Sequence, residues 1–204
     1  MRSVAILVFV SSLWAQHRIE ARLEEPTPKT SLQVEAYLMP TFLRWLYSGT
    51  WGGREVPGLD FLTRPEGSYW IDHAKRACYA IQPQVPKVYP TSTPTPEKVE
   101  TYLGFAAQSY RLSLSDGSEV RLLWTRAVSF DWRAWQPHLR DEVLSALLEA
   151  GFLEGLPLRW ERRSAKGEIL SRWTVEKVSP HSDQLAGVLP YEVQPIEKAM
   201  ERQP

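Results

Sequence analysis

Four histidines, one cysteine and nine tryptophans are the side chains through which this chain could do chemistry. His17, His73, His138 and His181 are scattered, with neither a His-Glu-x-x-His run nor a paired spacing that would hold zinc. His73 follows Asp72 in a predicted turn, where both face water. His138 and Asp141 flank the predicted start of a helix, where they cap it. Serines occur without the Gly-x-Ser-x-Gly elbow of a nucleophile. The pairs Glu24-Glu25 and Asp141-Glu142 read as surface charge, since neighbours on a strand point to opposite faces. No glycine-rich loop is placed to cradle a phosphate. These residues define no catalytic centre, metal site or cofactor site, and the chain reads as non-enzymatic, with a hydrolase as the third reading.

Cys78 has no intramolecular partner for a disulfide. Its setting, residues 75–81, alternates like a strand and favours a small buried hydrophobe; the alternative is a reactive thiol activated by Lys75 and Arg76. The aromatic residues carry more information. Trp45, Trp70, Trp124, Trp160 and Trp173 fall on predicted strands, and Tyr110 lies on another. Such side chains either pack a core or line a hydrophobic hollow for a lipid or acylated partner, where a covering helix leaves apolar wall unfilled. An exposed platform for glycans or a protein is a further reading. These six are the candidate ligand-binding residues.

The elements that must position them are mostly strands. Residues 18–25 and 32–38 alternate with period two on either side of Pro26-Thr27-Pro28, and 42–47 continue as a strand or short helix. Residues 48–67 hold five glycines and two prolines, the composition of a turn-rich connection. Residues 68–72 and 77–81 form a hairpin. The stretch 82–96 holds five prolines, which deny the backbone donors and make it an extended loop. Asp116-Gly117 closes the clearest hairpin, between 108–114 and 119–125, and Gly167 a second, between 156–163 and 168–178. Leu139 to Ala150 is the best helix, with an apolar face through Leu139, Val143, Leu144, Leu147 and Leu148 and a stop at Gly151. Asp131 to Trp135 adds a short turn before it, and Ile196 to Arg202 is a short, helix-competent tail.

Residues 1–15 have the pattern of a cleaved secretory signal: Arg2, an apolar run from Val4 to Val10, then small residues leading to Ala15. The run is too short to span a bilayer, and no cysteine stands at the cut to take a lipid. Removing the leader leaves 23 Lys plus Arg against 24 Asp plus Glu, a balance without the basic stripe that nucleic acid requires. The expected organisation is a leader over 1–15, one domain over 16–195 and a tail over 196–204.

The order strands, loop, hairpin, helix, hairpin, without βαβ alternation, predicts an α+β, mainly β fold: a strongly curved antiparallel sheet clasping one or two helices. Residues 100–105 leading to Tyr110, Asp116-Gly117, Leu123-Trp124-Thr125, Gly155-Leu156-Pro157-Leu158 and residues 167–175 carry a resemblance over about 68–193. More faintly, residues 70–75 share it. The chain resembles an uncharacterised family of exported Gram-negative domains related to the periplasmic lipoprotein carrier LolA. It departs from that family's pattern at Ala107, where a cysteine is common, and at Leu189-Pro190-Tyr191. The resemblance implies a half-open β-barrel whose hollow accommodates acyl chains, in the periplasm or at the outer-membrane periphery of a Gram-negative bacterium. A lipid or acylated protein is the partner it implies, without a transmembrane span. The alternative is a structural or adaptor protein of the cell envelope with a filled barrel and an envelope protein as partner.

Overall fold

The computed structural model describes residues 16–82, 88–139, 141–182 and 184–197. The predicted leader lies outside the described residues, as do the tail beyond 197 and the middle of the proline-rich stretch. The described chain forms β1 (His17–Glu25), β2 (Thr30–Met39), β3 (Phe42–Trp51), β4 (Arg54–Arg64), β5 (Gly67–Asp72), β6 (Ala77–Ile81), β7 (Thr95–Tyr102), β8 (Phe105–Ser113) and β9 (Glu119–Thr125). Helix α1 (Glu142–Glu149) follows, then β10 (Leu156–Arg163), β11 (Ile169–Pro180) and β12 (Val193–Gln194). All twelve strands join one sheet in the order β12-β6-β5-β4-β3-β2-β1-β11-β10-β9-β8-β7. The sheet is open and strongly curved, and only the β12–β6 pair is parallel. No helix of the described residues is long and apolar enough to cross a membrane.

The predicted hairpins form, and the 42–47 segment is a strand. Two expectations need correction. Residues 48–67 are not a mere connection, because β4 occupies 54–64. A bulge opposes Ser48 of β3 with two residues of β4, so Val56 and Leu59, three apart, pair with Gly49 and Tyr47 on the same face. The extra residue breaks the alternation by which a strand is recognised. Likewise the 82–96 stretch ends inside β7, which begins at Thr95. β7 is an edge strand, where proline is tolerated and charged residues such as Glu97, Lys98 and Glu100 suit the exposed side.

Alternation along the strands divides the residues between two cores on opposite faces. The larger packs Ile19, Ala21, Leu32, Val34, Leu38, Leu43, Leu122, Trp160, Trp173 and Val175 against α1, whose buried side chains include Val143, Leu144, Leu147 and Leu148. The face carrying α1 is the inner face. The smaller core, Met39, Phe42, Leu62, Ile71 and Cys78, lies on the outer face under Ala186, Leu189 and Tyr191. Leu38 and Met39 are adjacent yet belong to different cores, as do Leu43 and Phe42.

Two local devices seat the helix. Gly155, at φ +114, brings the chain against β9 so closely that a Cβ there would sit 2.2 Å from the Thr125 carbonyl oxygen. At the other end Asp141 is the N-cap: its carboxylate accepts the Leu144 N–H at 2.6 Å, which starts the helix three residues later than the apolar pattern alone predicts. Burial pushes the Asp141 carboxyl above its ordinary 3.8, against the opposing pull of the Leu144 and Val143 amides. Folding therefore favours the protonated acid, and the penalty for its charge develops as pH rises above about 3.8 through the folded-state value. Asp141→Asn keeps the capping oxygen without the charge. In urea titrations it is expected to exceed the parent in stability at pH 7 and to match it below about pH 4, whereas Asp141→Ala loses about 1 kcal/mol below about pH 4 and less at pH 7, where it too escapes the charge penalty. An Asn variant weaker than the parent at pH 7 would contradict this reading.

Candidate ligand-binding face

The strand register sets the six predicted aromatics in two groups. On the inner face, Ile19, Ala36, Trp45, Phe61, Trp70 and Tyr79 lie directly opposite one another across β1 to β6. The middle of this row is aromatic on three successive strands, and Trp45, Phe61 and Trp70 are each only half-buried. Tyr47, one turn of the pleat away, meets Phe61 edge-on at 6.0 Å, and Trp70 leans on Tyr79 at 5.4 Å. Among the described residues, Phe61 and Trp70 pack into neither core, while Trp45 rests on the margin of the larger one.

The second group is core. Trp124, Trp160 and Trp173 are 3 to 5% exposed. Trp160 and Trp173 are cross-strand partners, stacked at 5.1 Å with their planes 11° apart, and Trp45 approaches Trp173 edge-on at 6.3 Å. Trp124 and Tyr110 both pack on Phe152, just beyond α1, with Tyr110 half-buried. Two of the three buried indoles are satisfied: Trp124 donates to the Glu154 carbonyl at 2.9 Å and Trp173 to that of Pro157 at 3.2 Å. The Trp160 indole N–H is buried without an acceptor. Six aromatics named together from the sequence thus separate into a packed set on β9 to β11, a marginal pair in Trp45 and Tyr110, and Trp70 on the less covered half. Phe61, which completes the row, was hidden by the bulge that disguises β4.

Two surface recesses are lined by none of the six. One, of about 540 Å³, lies among Pro40, Arg126, Phe130, Asp131, Trp135 and Glu154. The other, of about 180 Å³, is bounded by Glu24, Glu25, Thr30, Ile169 and Arg172.

Titratable groups form structural pairs. The nearly buried Asp60 carboxylate accepts from Arg44 at 2.9 and 2.6 Å and lies 2.9 Å from His73 Nε2, while His73 Nδ1 lies 3.2 Å from the Tyr191 hydroxyl. His73 is in a turn as expected, but it is held by Asp60, thirteen residues away in the chain, and not left free beside Asp72. The Asp60 hydrogen bond is the main reason the Arg44 guanidinium is held above its ordinary range. On the inner side Arg162 ties the β8–β9 turn to the helix start, reaching Asp116 at 2.6 Å and Glu142 at 3.4 Å. Burial opposes ionisation of Asp116, but Ser118 and Arg162 outweigh it and hold the carboxyl below its ordinary range. Cys78 is fully buried, and burial pushes its thiol up. Among the described residues no three His, Cys, Asp or Glu side chains converge as a metal would need.

No protein-family model and no curated protein matches the chain at the level of sequence. Solved structures do resemble it. It is similar to an uncharacterized conserved protein from Thermus thermophilus, with a TM-score of 0.57 and 12% identity over 90% of this chain and 91% of that one. It is also similar to MucB in complex with MucA(peri), with a TM-score of 0.51 and 10% identity over 84% of this chain and 53% of that one. In the MucA/MucB complex of Pseudomonas aeruginosa the corresponding values are 0.50 and 12%, over 83% and 54%. The chain spans about half the length of the chains matched in these complexes. Its fold, an open and strongly curved antiparallel sheet, is related to that of MucB.

Proposed function

We propose that this chain is an exported, non-enzymatic binding domain of the Gram-negative envelope whose inner face holds the acyl part of a lipid or acylated protein. The carrying observation is the row Trp45, Phe61 and Trp70, three neighbouring aromatics left half-buried on the face that elsewhere forms the core. An acyl chain laid along that row would contribute roughly 0.8 kcal/mol per buried methylene without a charged anchor.

A second reading has its own support. Trp124, Trp160 and Trp173 fill the β9 to β11 half, as in an adaptor with a closed interior, and the related fold of MucB is described in complex with MucA. Native mass spectrometry of the purified protein, combined with organic extraction, separates the two. A co-purifying lipid, lost from Trp70→Ser while the melting curve is retained, is the expected result. A ligand-free parent protein that still captures an envelope protein would favour the adaptor.

A further inference from the structure

The outer face of β3 to β6 is covered by no α-helix and no second sheet, but by a short 3-10 turn, Gln184–Gly187, and the chain that leads from it to β12 at the sheet edge. Its cover is the chain's own residues 186–194. The floor consists of Met39, Phe42, Leu62, Ile71 and Cys78, none more than 2% exposed, with Ala186, Leu189 and Tyr191 packed on it. Most of the polar attachment is to main chain. Arg44 donates to the Ala186 carbonyl at 2.9 Å, and Arg64 donates to that of Gly187 through Nε at 3.0 Å and through Nη2. The Cys78 N–H donates to the Glu192 carbonyl at 3.1 Å, and β12 pairs in parallel beside Cys78 and Tyr79. The Tyr191 hydroxyl meets His73. At position 187 the backbone lies so near the floor that a Cβ would stand 2.2 Å from Phe42 Cδ1.

The guanidinium groups bind the carbonyls that end the 3-10 turn, Gln184–Gly187, and two residues of strand pairing follow at 193–194, so the groove holds main chain more than particular side chains. The side-chain requirements are few: none at 187, apolar groups at 189 and 191. Val188 and Val193 are 51% and 44% exposed, so the segment lies on the face without being enclosed. The floor is separated from the larger core by the sheet itself, and lifting the segment leaves the packing of α1 untouched. We infer that the outer face of β3 to β6 is a docking groove for a peptide that enters as a tight turn and leaves as a short strand, and that residues 186–194 are its releasable occupant in cis.

Cys78 reports on the groove, since it is the single thiol and lies 0% exposed beneath the segment. Burial pushes this thiol up, against the pull of the Tyr191 amide, which slows its reaction further. The test is the rate at which Ellman's reagent labels Cys78 in the full chain, its Gly187→Leu variant and its Arg64→Met variant, with near-UV circular dichroism reporting the larger core. Labelling at least tenfold faster in Gly187→Leu and by a smaller factor in Arg64→Met, with the aromatic signal unchanged, is expected. A synthetic peptide with the sequence of residues 184–195 should slow labelling of Gly187→Leu towards the parent rate. Three results overturn the inference: parent-like protection in both variants, loss of the aromatic signal on release, or no effect of the peptide at millimolar concentration.

Discussion

Trp173→Ala is expected to destabilise the protein by about 3–5 kcal/mol, the range for removing a large aromatic from a packed core. The side chain is 5% exposed, stacks on Trp160, meets Trp45 edge-on and donates to the Pro157 carbonyl. Truncation leaves a cavity at the strand pairing that joins β10 and β11, and it leaves that carbonyl without its indole donor. Trp173→Phe keeps the ring and should lose less. Trp51→Ala is the control: at 51% exposure its effect should stay within about 0.5 kcal/mol. Urea unfolding followed by far-UV circular dichroism measures all three. Equal midpoints for Trp173→Ala and Trp51→Ala would mean that the β9 to β11 half is not the packed core described above.

Asp60→Ala is expected to cost a similar amount, about 3–5 kcal/mol, for a different reason. It strands the Arg44 guanidinium, only 16% exposed, without its carboxylate and takes the acceptor from His73. The loss measures the penalty of an unpaired charge, not the net worth of the ion pair, since burying both ions is itself costly. A double replacement, Asp60→Leu with Arg44→Met, should therefore recover much of the stability lost by Asp60→Ala. A double variant as unstable as the single one, by the same urea titration, would show that the pair contributes net attraction beyond satisfying each other's charge.

The sheet was legible wherever strands alternate and turns carry their signature residues. Asp116-Gly117 marks a hairpin because its geometry demands positive φ, and Gly117 has φ +80. The helix was legible from its apolar stripe, although Asp141 moved its start. β4 was not, because Pro57-Gly58 lies at a bulge that shifts the inward face by one residue between Val56 and Leu59. β7 was not, because an edge strand needs only one hydrogen-bonded neighbour and hides among prolines and charges. The same physics governs the site. Indoles on predicted strands were identifiable, but whether an indole is wall or core depends on which strands end up beneath α1. That in turn depends on the pairing of β1 with β11, strands separated by more than 140 residues of chain. Asp60 and His73 were likewise unpairable in advance, since Asp60 lies on the strand that the bulge conceals.

Quenching of tryptophan fluorescence by a dibrominated fatty acid tests the inner-face site most directly, because bromine quenches only indoles it approaches. Saturable quenching in the parent protein, abolished in the Trp45→Phe/Trp70→Phe double variant while the buried Trp124, Trp160 and Trp173 still emit, is the predicted result. Absence of saturable quenching in the parent, or quenching undiminished in the double variant, would contradict an acyl-binding role for the aromatic row.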